Sequence, residues 1–374
     1  MPIYYIGNPY MKSRQFALQI KMKTNFFSKY FLVVSILTAT NLSALAYSPN
    51  TAGNISKNEF DSVGSGISII AAPEFKQKGI FTRSPNKKTS KEQFEYAQNL
   101  EKAKKYKAAT KAYNALVYEW PTASEAPIAQ LGVARTFELR EKYLEAYKEY
   151  QYLIANYDVR HLPESIKFTD ILNSQFRIAN YYLNKLDSTI LGIGSIGVDG
   201  VADAFAQIAK NAPEWERASE CLLRRGLAYE IAGRNVDAIF EYEDLIGRYA
   251  GTIVANEALY RAAVARYKIA INATRDEKTL RNTIVAMNLA MKADPNHKYA
   301  EATLEHKKKI EETLTALLFE KAQYYDNIKP NPKAALISYS SFVKEFPNAK
   351  EAQSAKKRIA ELEEITKNSP SKEK

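Results

Sequence analysis

One spacing of small and aromatic residues recurs along this 374-residue chain and constrains its fold more than any other feature. In the clearest copy, Ala109 is followed by aromatic residues at positions +4 and +11, by a proline at +12 and by small residues at +17 and +20. Two clear copies and three weaker ones follow this frame or part of it. Together the six copies begin at Ala109, Ala146, Val201, Ala238, Thr283 and Ala335.

The frame has the geometry of one face of an α-helix. Residues at +4 and +11 lie within about 40° of the anchor on a helix of 3.6 residues per turn, so the small residue and both aromatic residues share a stripe. A periodic stretch before each anchor, such as Phe94, Ala97 and Leu100, supplies a first helix. A proline after the last aromatic residue ends the second helix because it lacks an N–H. We assign to packing within the repeats Ala109, Tyr113, Trp120, Ala146, Tyr150, Tyr157, Ala238, Tyr242, Tyr249, Ala335, Tyr339 and Phe346.

The distances between the copies favour tandem helical hairpins. Successive anchors are 37, 55, 37, 45 and 52 residues apart, as expected when a hairpin of roughly 34 residues carries loop insertions. An ordinary amphipathic bundle is the alternative, but a bundle has no reason to repeat its small, aromatic and proline positions in order.

This spacing resembles the tetratricopeptide repeat, in which small and aromatic residues at fixed positions build stacked helix pairs. The segments 106–121, 143–157 and 334–347 are similar to the repeat form of the outer-membrane assembly factor family BamD (YfiO). The resemblance covers roughly residues 90–365. It implies an all-α, right-handed superhelical solenoid of about six hairpins and a role in outer-membrane protein assembly.

The beginning of the chain has the features of a secretory signal peptide. Lys21, Lys23 and Lys29 precede an apolar run from residue 30 to 37, and small residues Ala44 and Ala46 occupy the cleavage positions. We expect cleavage after Ala46, with Met22 as a better start than Met1, and we expect export to the periplasm or to the periplasmic face of the outer membrane. An uncleaved membrane anchor is the alternative, but polar residues interrupt the run before it reaches the roughly 20 apolar residues of a spanning helix.

The resemblance to BamD is incomplete at this point. Proteins of the BamD type are usually lipoproteins that begin at a lipid-modified cysteine, and no cysteine lies near Ala46. The single cysteine, Cys221, falls at a small-residue position of a predicted helix, so we assign it to core packing. Two alternatives remain: a soluble periplasmic protein, or a protein held peripherally at the membrane through a partner.

Composition divides the chain into four segments. We expect a signal peptide at 1–46, a disordered linker rich in Ser, Gly, Asn and Lys at 47–90, the repeat array at 91–365 and a disordered tail at 366–374. A glycine-rich insert containing Gly192, Gly194, Gly197 and Gly200 opens the third hairpin. It lacks the Lys-Ser/Thr ending of a phosphate-binding loop, so we interpret it as a flexible insertion rather than a ligand-contacting lid.

Charge and motifs exclude several classes of function. Residues 1–46 carry five basic and no acidic side chains, so the chain after cleavage has a formal charge of 11 − 5 = +6. Its basic residues alternate with acids as on solvated helix faces, which argues against nucleic-acid binding. Neither a catalytic motif nor a metal-ligand spacing involving His161, His297 or His306 is present. We therefore expect no catalytic residues, no cofactor and no metal.

Recognition of other proteins is the remaining class of function. The concave face of a helical solenoid, lined by first-helix side chains, can hold an extended peptide or a partner helix. Our primary hypothesis is a periplasmic scaffold that binds the barrel-assembly machinery or unfolded outer-membrane proteins. The alternative is an adaptor of the cell-wall or division machinery, like CpoB, or another envelope secretion scaffold. The sequence leaves the partner-binding residues unknown.

Overall fold

Helices follow one another without interruption by strands wherever the structure, a computed structural model, describes the chain: residues 75–76, 84–158, 162–186 and 197–368. All of these residues belong to one unit, Ile70–Lys374. They form thirteen α-helices and one π-helical turn. The helices are α1 (Ser90–Lys102), α2 (Tyr106–Glu119), α3 (Ala126–Glu138), α4 (Tyr143–Asn156), α5 (Phe168–Leu186), α6 (Val198–Asn211), α7 (Ala218–Ile231), α8 (Asn235–Arg248), α9 (Ile253–Ala270), α10 (Glu277–Ala293), α11 (Ala300–Gln323), the π turn (Tyr324–Ile328), α12 (Pro332–Glu345) and α13 (Ala352–Asn368).

Each helix packs on the next, which arranges the first twelve as six hairpins and leaves α13 to cover the last one. The first helices of successive hairpins also contact one another: α1 contacts α3, α7 contacts α9, and α9 contacts α11. The second helices of successive hairpins make no comparable contact. The first helices therefore form the more tightly spaced layer. The prediction of a helical repeat solenoid is confirmed.

All six anchors of the sequence frame lie on second helices and point into the core. The anchors are at most 1% exposed: Ala109, Ala146, Val201, Ala238, Thr283 and Ala335. The side chains at +4 are at most 4% exposed: Tyr113, Tyr150, Phe205, Tyr242, Met287 and Tyr339. The residue at +11 is each time the half-buried C-cap of the second helix: Trp120, Tyr157, Ala212, Tyr249, Asp294 and Phe346.

The apolar core is a series of overlapping clusters rather than one centre. Tyr113 and Leu116 of α2 share a cluster with Val133 of α3, while Ala134, on the same helix, joins Tyr150 of α4 in the next cluster. Each hairpin therefore buries one face within itself and a second face against its neighbour. Stability in such an array is close to a sum of hairpin and nearest-neighbour terms.

In three hairpins the turn between the two helices uses a left-handed residue five positions before the anchor. This residue is Lys104, Glu141 or Gly233, with φ of 56°, 57° and 72°. In the first hairpin the N–H of the next residue, Lys105, reaches back 2.9 Å to the carbonyl of Leu100. This bond closes the end of the first helix as a Schellman motif does. The left-handed residue reverses the chain within three or four residues and sets the two helices side by side.

Some boundaries differ from the expected ones. Helix α1 begins at Ser90, because the Thr89 hydroxyl accepts the N–H of Glu92 and caps it inside the predicted linker. Helix α13 continues to Asn368, three residues beyond the predicted end of the array at residue 365, and residues 369–374 lie outside the described residues. In the glycine-rich insert, Gly197 caps α6 and Gly200 lies within α6. The rest of that insert, the predicted signal peptide and nearly all of the linker lie outside the described residues.

Close packing on a tyrosine ring generates a test of the hairpin core. A Cβ added to Gly226 of α7 would lie 2.4 Å from Cε1 of the buried Tyr242, whereas a Cβ on Gly247 of α8 would meet nothing within 4 Å. We expect Gly226→Ala to lower the free energy of unfolding by about 1–3 kcal/mol through overpacking. Gly247→Ala should instead raise it by about 0.5–1 kcal/mol, because alanine is the better helix former. Urea unfolding measures both, and equal effects of the two variants would contradict the packing described here.

Candidate partner-binding surface

A hydrogen-bonded triad joins three successive helices at the first hairpin. The hydroxyl of Tyr113, on α2, donates to the carboxylate of Glu101 at the end of α1 over 2.7 Å. Arg135 of α3 donates two hydrogen bonds to the same carboxylate, at 2.6 and 2.7 Å. Because Arg135 belongs to the following hairpin, this triad ties one hairpin to the next.

The same triad recurs wherever the position at +4 is a tyrosine. The phenol-to-carboxylate distances are 2.8, 2.8 and 3.3 Å, and an arginine from the next first helix or from α13 completes each set. Phe205 and Met287 occupy the position in the other two hairpins and have no hydroxyl to donate. The three further triads are Tyr150, Glu138 and Arg177; Tyr242, Glu230 and Arg261; and Tyr339, Asp326 and Arg358.

The π-helical turn keeps the last triad in register. The acid lies twelve residues before the tyrosine in three copies, but thirteen before it in the last, where Asp326 precedes Tyr339. Asp326 sits within the π turn, in which the N–H of Lys329 donates to the carbonyl of Tyr324, five residues earlier, over 2.8 Å. A π turn accommodates one extra residue within a helix. The carboxylate therefore still reaches its tyrosine.

Electrostatics favour a charged acid and a neutral phenol within the triads. Burial by itself raises the pKa of the Glu101 carboxyl, but hydrogen bonds from Arg135 and Tyr113 outweigh it and hold that pKa below its usual value. The hydrogen bond from Arg358 lowers the pKa of Asp326. Burial, reinforced by the neighbouring Asp326 carboxylate, raises the pKa of Tyr339 to about 12. At neutral pH Tyr339 is thus a donor, and Glu101 and Asp326 are ionised acceptors.

A cleft of about 480 Å³ opens between α3, the start of α4 and α5. The rings of Tyr143 and Tyr181 meet across it with centroids 4.5 Å apart, and Lys185 lies 4.3 Å above the Tyr181 ring. Leu139 is 49% exposed at its edge, and the side chain of Arg177 is 62% exposed. The cleft combines an apolar, aromatic wall with basic groups at the rim, as protein-binding pockets do.

A larger cleft, about 710 Å³, lies between α11 and the turn after α12. Six of its twelve lining residues are charged, against three of nine in the α3–α5 cleft, and they include Lys308, Glu311 and Glu312 on α11 and Lys350 and Glu351 in the turn. Charged groups of this kind stay hydrated and add little to the anchoring of an apolar side chain. The cleft at α3–α5 is therefore the better candidate for holding a partner side chain.

Most residues that the sequence assigned to packing lie in the hairpin cores, and those at +11 form the helix ends. Cys221 is fully buried, and burial raises the pKa of its thiol to about 12. The predicted cleavage residues Ala44 and Ala46 lie outside the described residues. The triad acids and arginines were missed, although an acid twelve residues before a frame tyrosine was a usable signal. The cleft was also missed, because no position of the repeated spacing relates Tyr143 to Tyr181.

The described ranges contain neither a metal-binding cluster nor a membrane-spanning helix. No group of three His, Cys, Asp or Glu side chains there is placed to hold a metal ion. His297 and His306 instead stack on Tyr260 and Tyr267, with centroids 4.3 and 3.9 Å apart, and His161 lies outside those ranges. No helix in the described part of the chain has both the length and the apolar character needed to cross a membrane.

Comparison with known proteins gives structural neighbours only. No protein-family model and no curated protein matches the sequence. The solved structures similar to it include YrrB, a TPR protein with an unusual peptide-binding site (15% identity, TM-score 0.31, covering 59% of this chain and 94% of YrrB). They also include a tetratricopeptide repeat protein from Parabacteroides merdae (10% identity, TM-score 0.27, covering 73% of this chain and 98% of that protein). A third is the TPR2AB domain of yeast Sti1 in complex with pHSP90 (15% identity, TM-score 0.19, covering 73% of this chain and 98% of that domain). All three of these neighbours are tetratricopeptide repeat proteins.

The triad predicts the effect of removing a single hydroxyl. Tyr113→Phe keeps the ring in the core but removes a donor to the Glu101 carboxylate, so we expect a loss of about 1–3 kcal/mol in the free energy of unfolding. Tyr106→Phe, on the same helix but outside the triads, is the matched control and should change stability by less than about 0.5 kcal/mol. Equal stability of the two variants by urea unfolding would show that the triad contributes nothing.

The lowered pKa values of Glu101 and Asp326 predict acid sensitivity. Each of these carboxyl groups has a lower pKa in the folded than in the unfolded protein, so it stabilises the fold at any pH above its unfolded pKa, which is 4.5 for Glu101 and 3.8 for Asp326. This stability is lost as the pH falls through the folded-state pKa. We expect the free energy of unfolding to drop steeply as the pH falls below about 4.5. Arg358→Gln should make that slope shallower, since Asp326 then titrates closer to its usual pKa. An unchanged slope in this variant would contradict the assignment.

Proposed function

We propose that this chain is a non-catalytic scaffold that binds an extended protein segment at the α3–α5 cleft. The aromatic cleft itself carries this proposal. Tyr143 and Tyr181 offer a rigid apolar surface that loses little side-chain entropy on binding, and their hydroxyls can serve a peptide backbone. Leu139 extends the apolar area, so the cleft suits a segment with an aromatic or aliphatic anchor, and Arg177, which is paired with Glu138 but 62% exposed in its side chain, lies at the edge.

Three of the four triad arginines belong to first helices, and the triads explain why these side chains do not serve as free cations. Arg135, Arg177 and Arg261 are already ion-paired within their triads. They stabilise the stacking of the hairpins and offer little additional attraction to a ligand. A partner is therefore recognised mainly through apolar anchoring in the cleft, with charge acting at its edge.

We further propose that the scaffold works in the bacterial envelope, in outer-membrane protein assembly. Two features of the sequence support this: the lysine-flanked apolar run before Ala46 and the similarity of the segments 106–121, 143–157 and 334–347 to the BamD repeat form. In that setting the bound segment would belong to an assembly component or to an unfolded outer-membrane protein.

Site-specific crosslinking in living cells tests both parts of the proposal. A photo-crosslinking residue at Tyr181, inside the cleft, should capture an assembly component or an outer-membrane protein. The same residue at Phe240, which is 67% exposed on the second helix α8, should not. Capture of wall-synthesis or division proteins at Tyr181 would support the adaptor alternative and reject the assembly role. Equal capture at both positions would reject the cleft.

A matched pair of tyrosine variants tests the affinity of the cleft. Tyr181→Ala removes a central aromatic anchor, so we expect affinity for the captured partner to fall about 30-fold, the change typical of a binding hot spot. Tyr324→Ala is the control, because Tyr324 is similarly exposed (43% against 36%) and also lies in an aromatic pair, but on the π turn. Isothermal titration calorimetry measures both variants, and equal affinities would rule out the cleft.

A further inference from the structure

A dipeptide of the predicted linker lies against the first two hairpins. Phe75 places its ring 5.7 Å from that of Tyr157, at an angle of 50°. The backbone N–H of Lys76 donates to the Tyr152 hydroxyl over 2.9 Å, and its ammonium group lies 4.5 Å above the Tyr152 ring. The ammonium group also forms an ion pair with Glu149, and both side chains are less than 20% exposed. Lys76 is thus almost enclosed although no helix of the array contains it.

We call the group formed by Tyr118, Glu149, Tyr152 and Tyr157 the tyrosine socket. Tyr118 comes from α2, Glu149 and Tyr152 come from α4, and Tyr157 caps α4. The Tyr118 ring lies 5.9 Å from the ammonium nitrogen of Lys76, so two aromatic faces and one carboxylate surround the cation. Such an arrangement favours a lysine through both cation–π attraction and charge pairing.

The array builds the tyrosine socket without help from the linker. Gln130 of α3 is fully buried, and its amide nitrogen donates to the Glu149 carboxylate at 2.7 Å and to the Glu149 carbonyl at 2.9 Å. Tyr152 and Tyr157 pack edge to face, with centroids 6.4 Å apart. These contacts, all made within the array, hold the acceptor and the rings in place. A site preorganised in this way binds more tightly because less ordering is required.

The tyrosine socket contacts only groups that any extended peptide presents when it carries an aromatic residue followed by a lysine. It uses one aromatic ring, one backbone N–H and one ammonium group. None of these depends on the sequence separation of 73 residues between Lys76 and Glu149. The buried hydroxyl of Tyr157 has no hydrogen-bond partner within the described residues, so the socket retains capacity for one more polar contact.

We propose that the tyrosine socket is a second peptide-binding site, selective for an aromatic residue followed by lysine in an extended segment. Phe75–Lys76 occupies it as an internal ligand, and a partner segment carrying the same dipeptide displaces it. Tethering gives the internal ligand a high effective concentration, so a single competing dipeptide in solution binds weakly until the internal one is removed. The socket shares no residue with the α3–α5 cleft and does not depend on the function proposed for that cleft.

A labelled peptide tests this on the full-length protein. The probe is a fluorescein-labelled peptide with the sequence of residues 71–80, followed by fluorescence anisotropy. We expect it to bind the Phe75→Ala/Lys76→Ala variant at least about tenfold more tightly than the unchanged protein, because the socket is then free. Probes with alanine in place of the phenylalanine or the lysine should not bind. Equal binding to both proteins, or no binding to the variant, would overturn the proposal.

Two further substitutions in the freed variant separate recognition from folding. Tyr152→Phe keeps the ring but removes the acceptor of the Lys76 N–H, so affinity should fall by about fivefold to tenfold. Glu149→Gln removes the charge, and binding should fall further. Circular dichroism and thermal unfolding should match those of the freed variant in both cases. If affinity falls only where the fold is lost, the socket is a structural contact and not a binding site.

One more variant keeps the two proposed sites distinguishable. Tyr181→Ala in the freed protein should leave the affinity for the probe unchanged, since Tyr181 lines the cleft and not the tyrosine socket. A loss of probe binding in this variant would show that the peptide binds in the cleft, which would reject the socket while leaving the cleft in place.

Discussion

The structure depends on the contact between a second helix and the first helix of the next hairpin. At that contact a small anchor lets two helices approach, and the ring four residues later fills the space between them. In four hairpins the phenol of that ring continues to a carboxylate at the end of the preceding first helix and to an arginine beyond it. Apolar packing and a partly buried ion pair therefore act at the same place. Without this contact each hairpin would expose an apolar face to water.

The frame was readable from sequence because its positions are local. A small residue, a ring four residues later and a helix end at +11 all lie on one helix, so their spacing is set by helical geometry alone. Val201 and Thr283 were harder to recognise than Ala109, yet they hold the same buried position, since the space admits any side chain of modest size. The turn at Gly233 and its counterparts at Lys104 and Glu141 show the reverse. A left-handed residue is signalled clearly only when it is glycine.

The triads and the two candidate sites could not be predicted in the same way. The triads and the α3–α5 cleft bring together residues from three successive helical elements, and the tyrosine socket brings together residues of α2 and α4. The loops between these helices vary in length, so no fixed offset relates Arg135 or Arg177 to its tyrosine. The boundary residues depend on single capping contacts such as that of Thr89. The docking of Lys76 was invisible for a further reason: a linker rich in polar residues gives no periodic signal, although one of its dipeptides finds a preformed acceptor.

The π turn before α12 has a consequence for the evolution of such repeat arrays. One additional residue in a straight helix rotates everything after it by about 100° and would carry Asp326 away from Tyr339. Here the π turn accommodates the extra residue locally, and the helices on either side keep the same faces toward their neighbours. A repeat protein with this device tolerates single-residue insertions in a long helix, so the length of a first helix can drift while the stacking of its neighbours is conserved.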